Sequence, residues 1–250
     1  MHGTARDPGI TARSAASATM TPAPSPAAIG DPVESADYAF SYATLEPRPD
    51  APQALLVLLH GVGADETQLA ALGARAPAGT LVALPRGYRS ISGGRTGWYR
   101  VGISDDGLQV VEDEEAEARS RLVDFVAQLQ SHFDVPPALT WVGGFSQGGI
   151  LAASAALTSP GCVAGFVMIA GRLLPDLEPV DVDAVRSLDA LIVHGRDDDT
   201  LALDDARDAA SQLEALGIAT SFVVQDGGHE LTDAMVDSAV QWLDVHLQRA

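Results

Sequence analysis

The chain has no lysine, no asparagine and a single cysteine, Cys162, in 250 residues. One thiol excludes an intrachain disulfide and any cysteine metal cluster. Beside an apolar run, Cys162 reads as a small core residue. The missing lysine and asparagine read as codon bias of a GC-rich coding sequence and carry no chemistry. With lysine absent, all 15 basic residues are arginines, set against 34 acids for a net charge of −19. Such a surface repels polyanions, which argues against nucleic acid and anionic membranes as partners. No apolar run approaches the roughly 18–20 residues that span a bilayer, so no membrane insertion is expected.

Residues 1–32 lack periodicity. The stretch "TARSAASATMTPAPSPAAIGDP" buries too little apolar surface to offset its ordering entropy, and a disordered Ala/Pro/Ser-rich tail is expected. A continuous apolar segment of roughly 7–15 residues does not follow its arginines, so it is not read as a secretory signal, and a cytoplasmic location is the default. Residues 33–250 then form a single α/β domain with a large core.

Strands and helices alternate from Tyr38 onward. Tyr38 to Leu45 alternates like an edge strand, and "ALLVLL" at 54–59 is apolar throughout, as in a strand covered on both faces. Further buried strands are expected at 81–84, 139–142, 166–170, 191–194 and 221–224. Helices are expected at 65–76, 112–133, 147–157, 203–216 and 232–247. Repeated strand–helix–strand units predict a mostly parallel, doubly wound sheet flanked by helices.

Between the strand ending at Val142 and the helix starting near Gln147 lies "GGFSQGG", four glycines around Ser146. A sharp strand-to-helix turn strains the serine backbone, and Gly144 and Gly148 remove the Cβ atoms that would clash with it. The hydroxyl is then held out at the carboxyl end of the sheet, over a helix N-terminus that stabilises developing negative charge. This is the pattern of a nucleophile elbow. A serine needs a base, and the base an orienting acid. Of six histidines, His2 lies in the tail, His132 and His246 read as surface positions on helices, and His60 and His194 end buried strands. His229, in "QDGGHE", alone follows a suitable acid in the order serine, acid, histidine. That acid is one of Asp197, Asp198 and Asp199 in the loop after "ALIVHG".

From about 54 to 247 the chain resembles the phospholipase/carboxylesterase family of α/β-hydrolases, which includes acyl-protein thioesterases. "LLHGVGADE" is similar to the family's loop after the first long strand, "GFSQGG" to its nucleophile motif, "AGRLLP" to a later glycine–leucine–proline stretch, "HGRDDD" to its acid motif and "GGHE" to its histidine. The resemblance implies an α/β-hydrolase fold without a large cap, and it selects Asp198 as the acid beside Ser146 and His229. It also implies an oxyanion hole built from the backbone N–H groups of Val62 and Gln147, with His60 fixing the loop. "GGRTGWYRVG" resembles the segment lining the family's acyl pocket. Trp98, Tyr99, Leu173 and Leu174 are the substrate-binding candidates, and Arg100 stands where an acidic residue often follows the aromatic pair.

The expected reaction is hydrolysis of a short- or medium-chain carboxylic ester, or a thioester, through an acyl-enzyme. No metal or organic cofactor is expected. The partner is a small-molecule ester, with acyl-protein or lysophospholipid substrates as the alternative, and monomer and homodimer both stay open. Serine at 146 argues against a dienelactone-hydrolase-like enzyme, which carries cysteine there, and against a dehalogenase, which carries aspartate. The length leaves little room for the cap of a peptidase. A hydrolase-like binding module is disfavoured because nucleophile, acid, base and oxyanion loop all stand in order.

Overall fold

Leu55, Val57 and Leu59 enter one core cluster, while Leu56 and Leu58 enter another. Side chains alternate across a strand, so a run covered on both faces is apolar at every position. The protein is described by a computed structural model covering residues 28–104, 107–175, 177, 179 and 181–248.

The strands begin with β1 (Ala28–Ile29), β2 (Tyr42–Glu46), β3 (Ala54–Leu59) and β4 (Thr80–Pro85). Two short ladders follow, β5 (Arg89–Ser90) with β6 (Thr96–Gly97), and β7 (Val101–Ser104) with β8 (Gly107–Val110). The remaining strands are β9 (Thr140–Phe145), β10 (Gly165–Ile169), β11 (Asp189–Gly195) and β12 (Ala219–Gln225). The helices are α1 (Ala70–Gly73), α2 (Glu112–Phe133), α3 (Gln147–Thr158), α4 (Leu203–Ala215) and α5 (Asp233–Leu247).

Eight strands form the main sheet in the order β1-β2-β4-β3-β9-β10-β11-β12. Every pairing from β4 to β12 is parallel, and β1 and β2 add an antiparallel edge. Helices α2, α3 and α4 pack on one face, around Leu122, Phe125, Leu151 and Leu213. Helices α1 and α5 cover the other, around Leu72, Met235 and Leu243. This is the doubly wound α/β arrangement the alternation predicts. No helix among the described residues is long and apolar enough to cross a membrane.

Three expectations change. Residues 1–27 of the expected tail lie outside the described residues. Ala28 and Ile29, also assigned to the tail, pair with Glu46 and Leu45 as an edge strand, so the ordered fold starts before residue 33. The strand expected over 38–45 begins at Tyr42. Its first residues instead form a turn closed by the Tyr38 N–H on Ser35 O, and the Tyr38 ring packs edge-on against Tyr42 and Phe125. The helix expected over 65–76 shrinks to Ala70–Gly73. Asp65 Oδ1 accepts both the N–H and the hydroxyl of Thr67, a local turn that competes with helical hydrogen bonds.

Candidate active site

Ser146 follows β9 and precedes α3 at φ 52° and ψ −120°, a region an L-residue adopts only under constraint. The constraint is backbone packing. Ser146 N–H donates to Ile169 O of β10, and its carbonyl accepts from Ile150 N. A Cβ on Gly148 would press on the carbonyl oxygens of Leu59 and His60, and one on Gly144 would stand 2.6 Å from Leu59 O. The end of β3 therefore runs directly beneath the elbow, and only glycine fits. Gly148→Ala is expected to cost about 3 kcal/mol or more, the upper end of overpacking. Thermal melts should show a drop on the order of 10 °C at the usual few degrees per kcal/mol. Gly161→Ala, where a Cβ meets nothing within 4 Å, should melt within about 2 °C of wild type.

His229 Nε2 lies 2.9 Å from Ser146 Oγ, and its Nδ1 lies 2.8 Å from Asp198 Oδ2. A carboxylate only accepts, so Nδ1 carries the proton and Nε2 is free to accept from the serine hydroxyl. Asp198 is anchored on every side. Its Oδ1 accepts the N–H groups of Thr200 and Leu201 at 2.9 Å each, and its Oδ2 sits 3.3 Å from His194 Nε2. The glycines of the histidine loop close the arrangement: Asp197 N–H donates to Gly227 O, and a Cβ on Gly195 would strike Gly227 and Gly228. Of the three consecutive acids, Asp198 is buried and Asp197 and Asp199 are exposed.

The first loop is held as firmly. His60 Nδ1–H donates to Gly61 O at 2.7 Å, and its Nε2 accepts from Gly87 N–H at 3.0 Å and faces the Thr96 hydroxyl at 3.2 Å. Burial pushes its pKa below the usual histidine value, against a smaller upward pull from the Gly61 carbonyl, which keeps the ring neutral in this role. Gln68 Oε1 accepts the Gly61 N–H at 2.7 Å. Gln147 brackets the neighbouring segment, its Oε1 accepting from Trp98 N–H and its Nε2 donating to Tyr99 O. Gln68 carries no motif signal of its own, and Gln147 entered through the motif "GFSQGG" for its backbone N–H rather than its side chain. His194, weighed in the sequence only as a base, also proves to belong beside Asp198.

Ser146, Gln147, His229, Val62, Tyr99, Phe145 and Ile150 are among the residues around a pocket of about 170 Å³. Four expectations meet it differently. Tyr99 lines it. Trp98 does not: it is fully buried, its indole N–H donating to His60 O, and it serves as scaffold. Leu173 is partly buried against the larger core cluster, and Leu174 lines a separate cavity with Glu115, Arg119 and Arg172. Neither lines the Ser146 pocket, and Arg172, Leu174, Pro175 and Leu177 face the first turns of α2 across that cavity instead. His132 is exposed as expected, whereas His246 is half-buried, its ring stacked 3.8 Å from that of Trp242. Burial pushes the Cys162 thiol up to about 11, as suits a packing residue.

A family model described as phospholipase/carboxylesterase matches residues 41–247. Among solved structures, a carboxylesterase from Mesorhizobium loti superposes with a TM-score of 0.73 at 22% identity, over 85% of this chain and 98% of that one. The esterase PE8 gives a TM-score of 0.67 at 25% identity, over 80% and 95%. The acyl-protein thioesterase 2 of Zea mays gives 0.66 at 22% identity, over 82% and 98%. The chain belongs to the phospholipase/carboxylesterase family and has the α/β-hydrolase fold.

Proposed function

We propose that this member of the phospholipase/carboxylesterase family is a serine carboxylesterase that hydrolyses short-chain esters, and thioesters of the same size, through an acyl-enzyme. The observation that carries the reading is the hydrogen-bonded line from Asp198 through His229 to Ser146 Oγ, which opens onto the small pocket. His229 Nε2 takes the hydroxyl proton as Oγ attacks the carbonyl carbon. Asp198, ionised throughout, holds the Nδ1–H tautomer and stabilises the imidazolium. The tetrahedral oxyanion is met by the backbone N–H groups of Val62 and Gln147, both on the pocket wall. The leaving alcohol or thiol departs with the proton from His229. Water activated by the same nitrogen then attacks the acyl carbon, and the acid leaves with Ser146 restored.

Pocket size supports short acyl groups. A cavity of roughly 150 Å³ holds a benzene molecule, so about 170 Å³ beside Ser146 fits an acyl group of comparable size. Initial rates on p-nitrophenyl esters from acetyl to dodecanoyl should peak at about six carbons or fewer. A fluorophosphonate probe should label the protein at Ser146 alone, read by peptide mapping. Absence of both turnover and labelling would remove the esterase reading, and an optimum at dodecanoyl would remove its short-chain part.

A further inference from the structure

Between Thr67 and Ser104 the chain has five arginines and no acidic residue, although its net charge is −19. Two of the five are committed elsewhere: Arg75 pairs with Asp237 and Arg86 with Glu66. Arg89 and Arg100 line a groove of about 490 Å³ together with Tyr88 and Ile91. The groove shares Val62, Tyr99 and Val101 with the pocket at Ser146, so one continuous wall connects the two. Arg95, on the turn between β5 and β6, is exposed.

Among the described residues, the lining of the groove carries Arg89 and Arg100 and no carboxylate. Glu114 accepts the Arg100 guanidinium at 2.6 Å and its backbone N–H at 2.8 Å, and Glu117 pairs with Arg121 at 2.9 Å. Burial pushes the Glu114 carboxyl up, but the Arg100 hydrogen bonds and the nearby Arg89 outweigh it and hold the group below its usual range. Among the described residues, two carboxylates thus stand among the guanidinium groups of Arg89, Arg100 and Arg121. Arg89 Nε is buried 3.2 Å from Glu114 Oε2 yet makes no hydrogen bond. The Arg100 side chain is 73% exposed and accessible to a ligand. An open groove lined by two guanidinium groups, one of them largely exposed, suits an anion, and an anionic ligand gains most from it on an otherwise repelling protein.

We propose that this groove recognises a carboxylate on the substrate, so that the preferred esters carry an anionic group a few carbons from the scissile carbonyl. The inference rests on the serine esterase reading above. The carboxylate can belong to the acyl part or to the alcohol, and paired substrates distinguish them. One series is p-nitrophenyl monoesters of dicarboxylic acids, succinic to suberic, against neutral acyl esters of equal length. The other is acetyl esters of hydroxy acids against acetyl esters of the matching alcohols.

In at least one series the anionic member should be preferred by about 10–100-fold in kcat/KM, the scale of a charged hydrogen bond. That ratio should collapse toward one in the Arg89→Gln/Arg100→Gln variant, survive in the Arg89→Lys/Arg100→Lys variant, and shrink in 1 M salt. Equal or better turnover of the neutral esters in both series, or a preference that persists in the glutamine variant, overturns the proposal. Failure of the esterase reading is separable by calorimetric titration of glutarate and of pentanoate. Tighter binding of glutarate, lost in the glutamine variant, supports the anion groove even without turnover; equal or undetectable binding of both, in a protein that cleaves neither series, overturns it.

Discussion

Ser146→Ala is expected to lower kcat on p-nitrophenyl esters by about 10⁴- to 10⁶-fold, since triad members act as a unit and, on the proposed mechanism, losing the nucleophile leaves only binding and oxyanion stabilisation. The variant should still fold. Ser146 is held at φ 52° by packing of Gly144 and Gly148 against β3, not by its hydroxyl. The side chain makes no cap to α3, and its hydroxyl faces His229 Nε2. Losing one neutral hydrogen bond costs about 1 kcal/mol, a shift of a few degrees for a domain of this size. Steady-state kinetics beside a thermal melt therefore separate a lost nucleophile from a lost fold. A variant that keeps activity within tenfold of wild type would take Ser146 out of the nucleophile role.

What the sequence revealed and what it hid have different physical origins. Leu55 to Leu59 could be read as a strand because burial on both faces leaves no polar position, and the central stretches Phe166 to Ile169 of β10 and Ala190 to Val193 of β11 share that property. The limits of α2 were legible from its periodicity, which is a local quantity. The loop from Gly61 to Leu69 was not, because its shape follows from contacts such as Gln68 on Gly61 and Gly63 N–H on Thr96 O, remote in sequence. The same holds for the pocket. Its floor, Ser146 and Gln147, came with the glycine pattern. Its walls depend on how 98–101 crosses the sheet edge and on where 171–175 runs, so Tyr99 reached the pocket while Trp98, Leu173 and Leu174 did not.

Parallel topology explains why residues so far apart meet. Strands β3, β9, β11 and β12 point the same way, so the loops after Leu59, Phe145, Gly195 and Gln225 emerge at one edge. The first brings Val62, the second Ser146, the third Asp198 and the fourth His229. Glycines at the ends of these strands let the loops touch, as Gly195 does against Gly227. Order along the chain is thus fixed by the fold, whereas selection of Asp198 from three adjacent acids depends on which one turns inward.

That inward turn makes Asp198→Asn the more discriminating experiment. The two backbone N–H groups of Thr200 and Leu201 both point at Oδ1, so an asparagine there must keep its carbonyl oxygen on them. Its amide nitrogen then occupies the Oδ2 position, facing His229 Nδ1 at about the wild-type separation of 2.8 Å. His194 Nε2, a donor to Leu201 O, lies on the same side and cannot relieve the mismatch. The amide donates where the carboxylate accepted, so His229 must accept at Nδ1 and carry its proton on Nε2. That nitrogen then points a proton at Ser146 Oγ and cannot act as base. A loss of about 10⁴-fold in kcat is expected, the scale seen when a triad aspartate becomes asparagine elsewhere. KM should change little, because Asp198 lies behind His229 and does not line the pocket. Asp197→Asn and Asp199→Asn alter exposed side chains and should stay within about twofold of wild type, surface changes away from such features being near neutral. Comparable losses at all three positions would point to loop electrostatics, and a large loss at Asp198 alone to the tautomer of one imidazole.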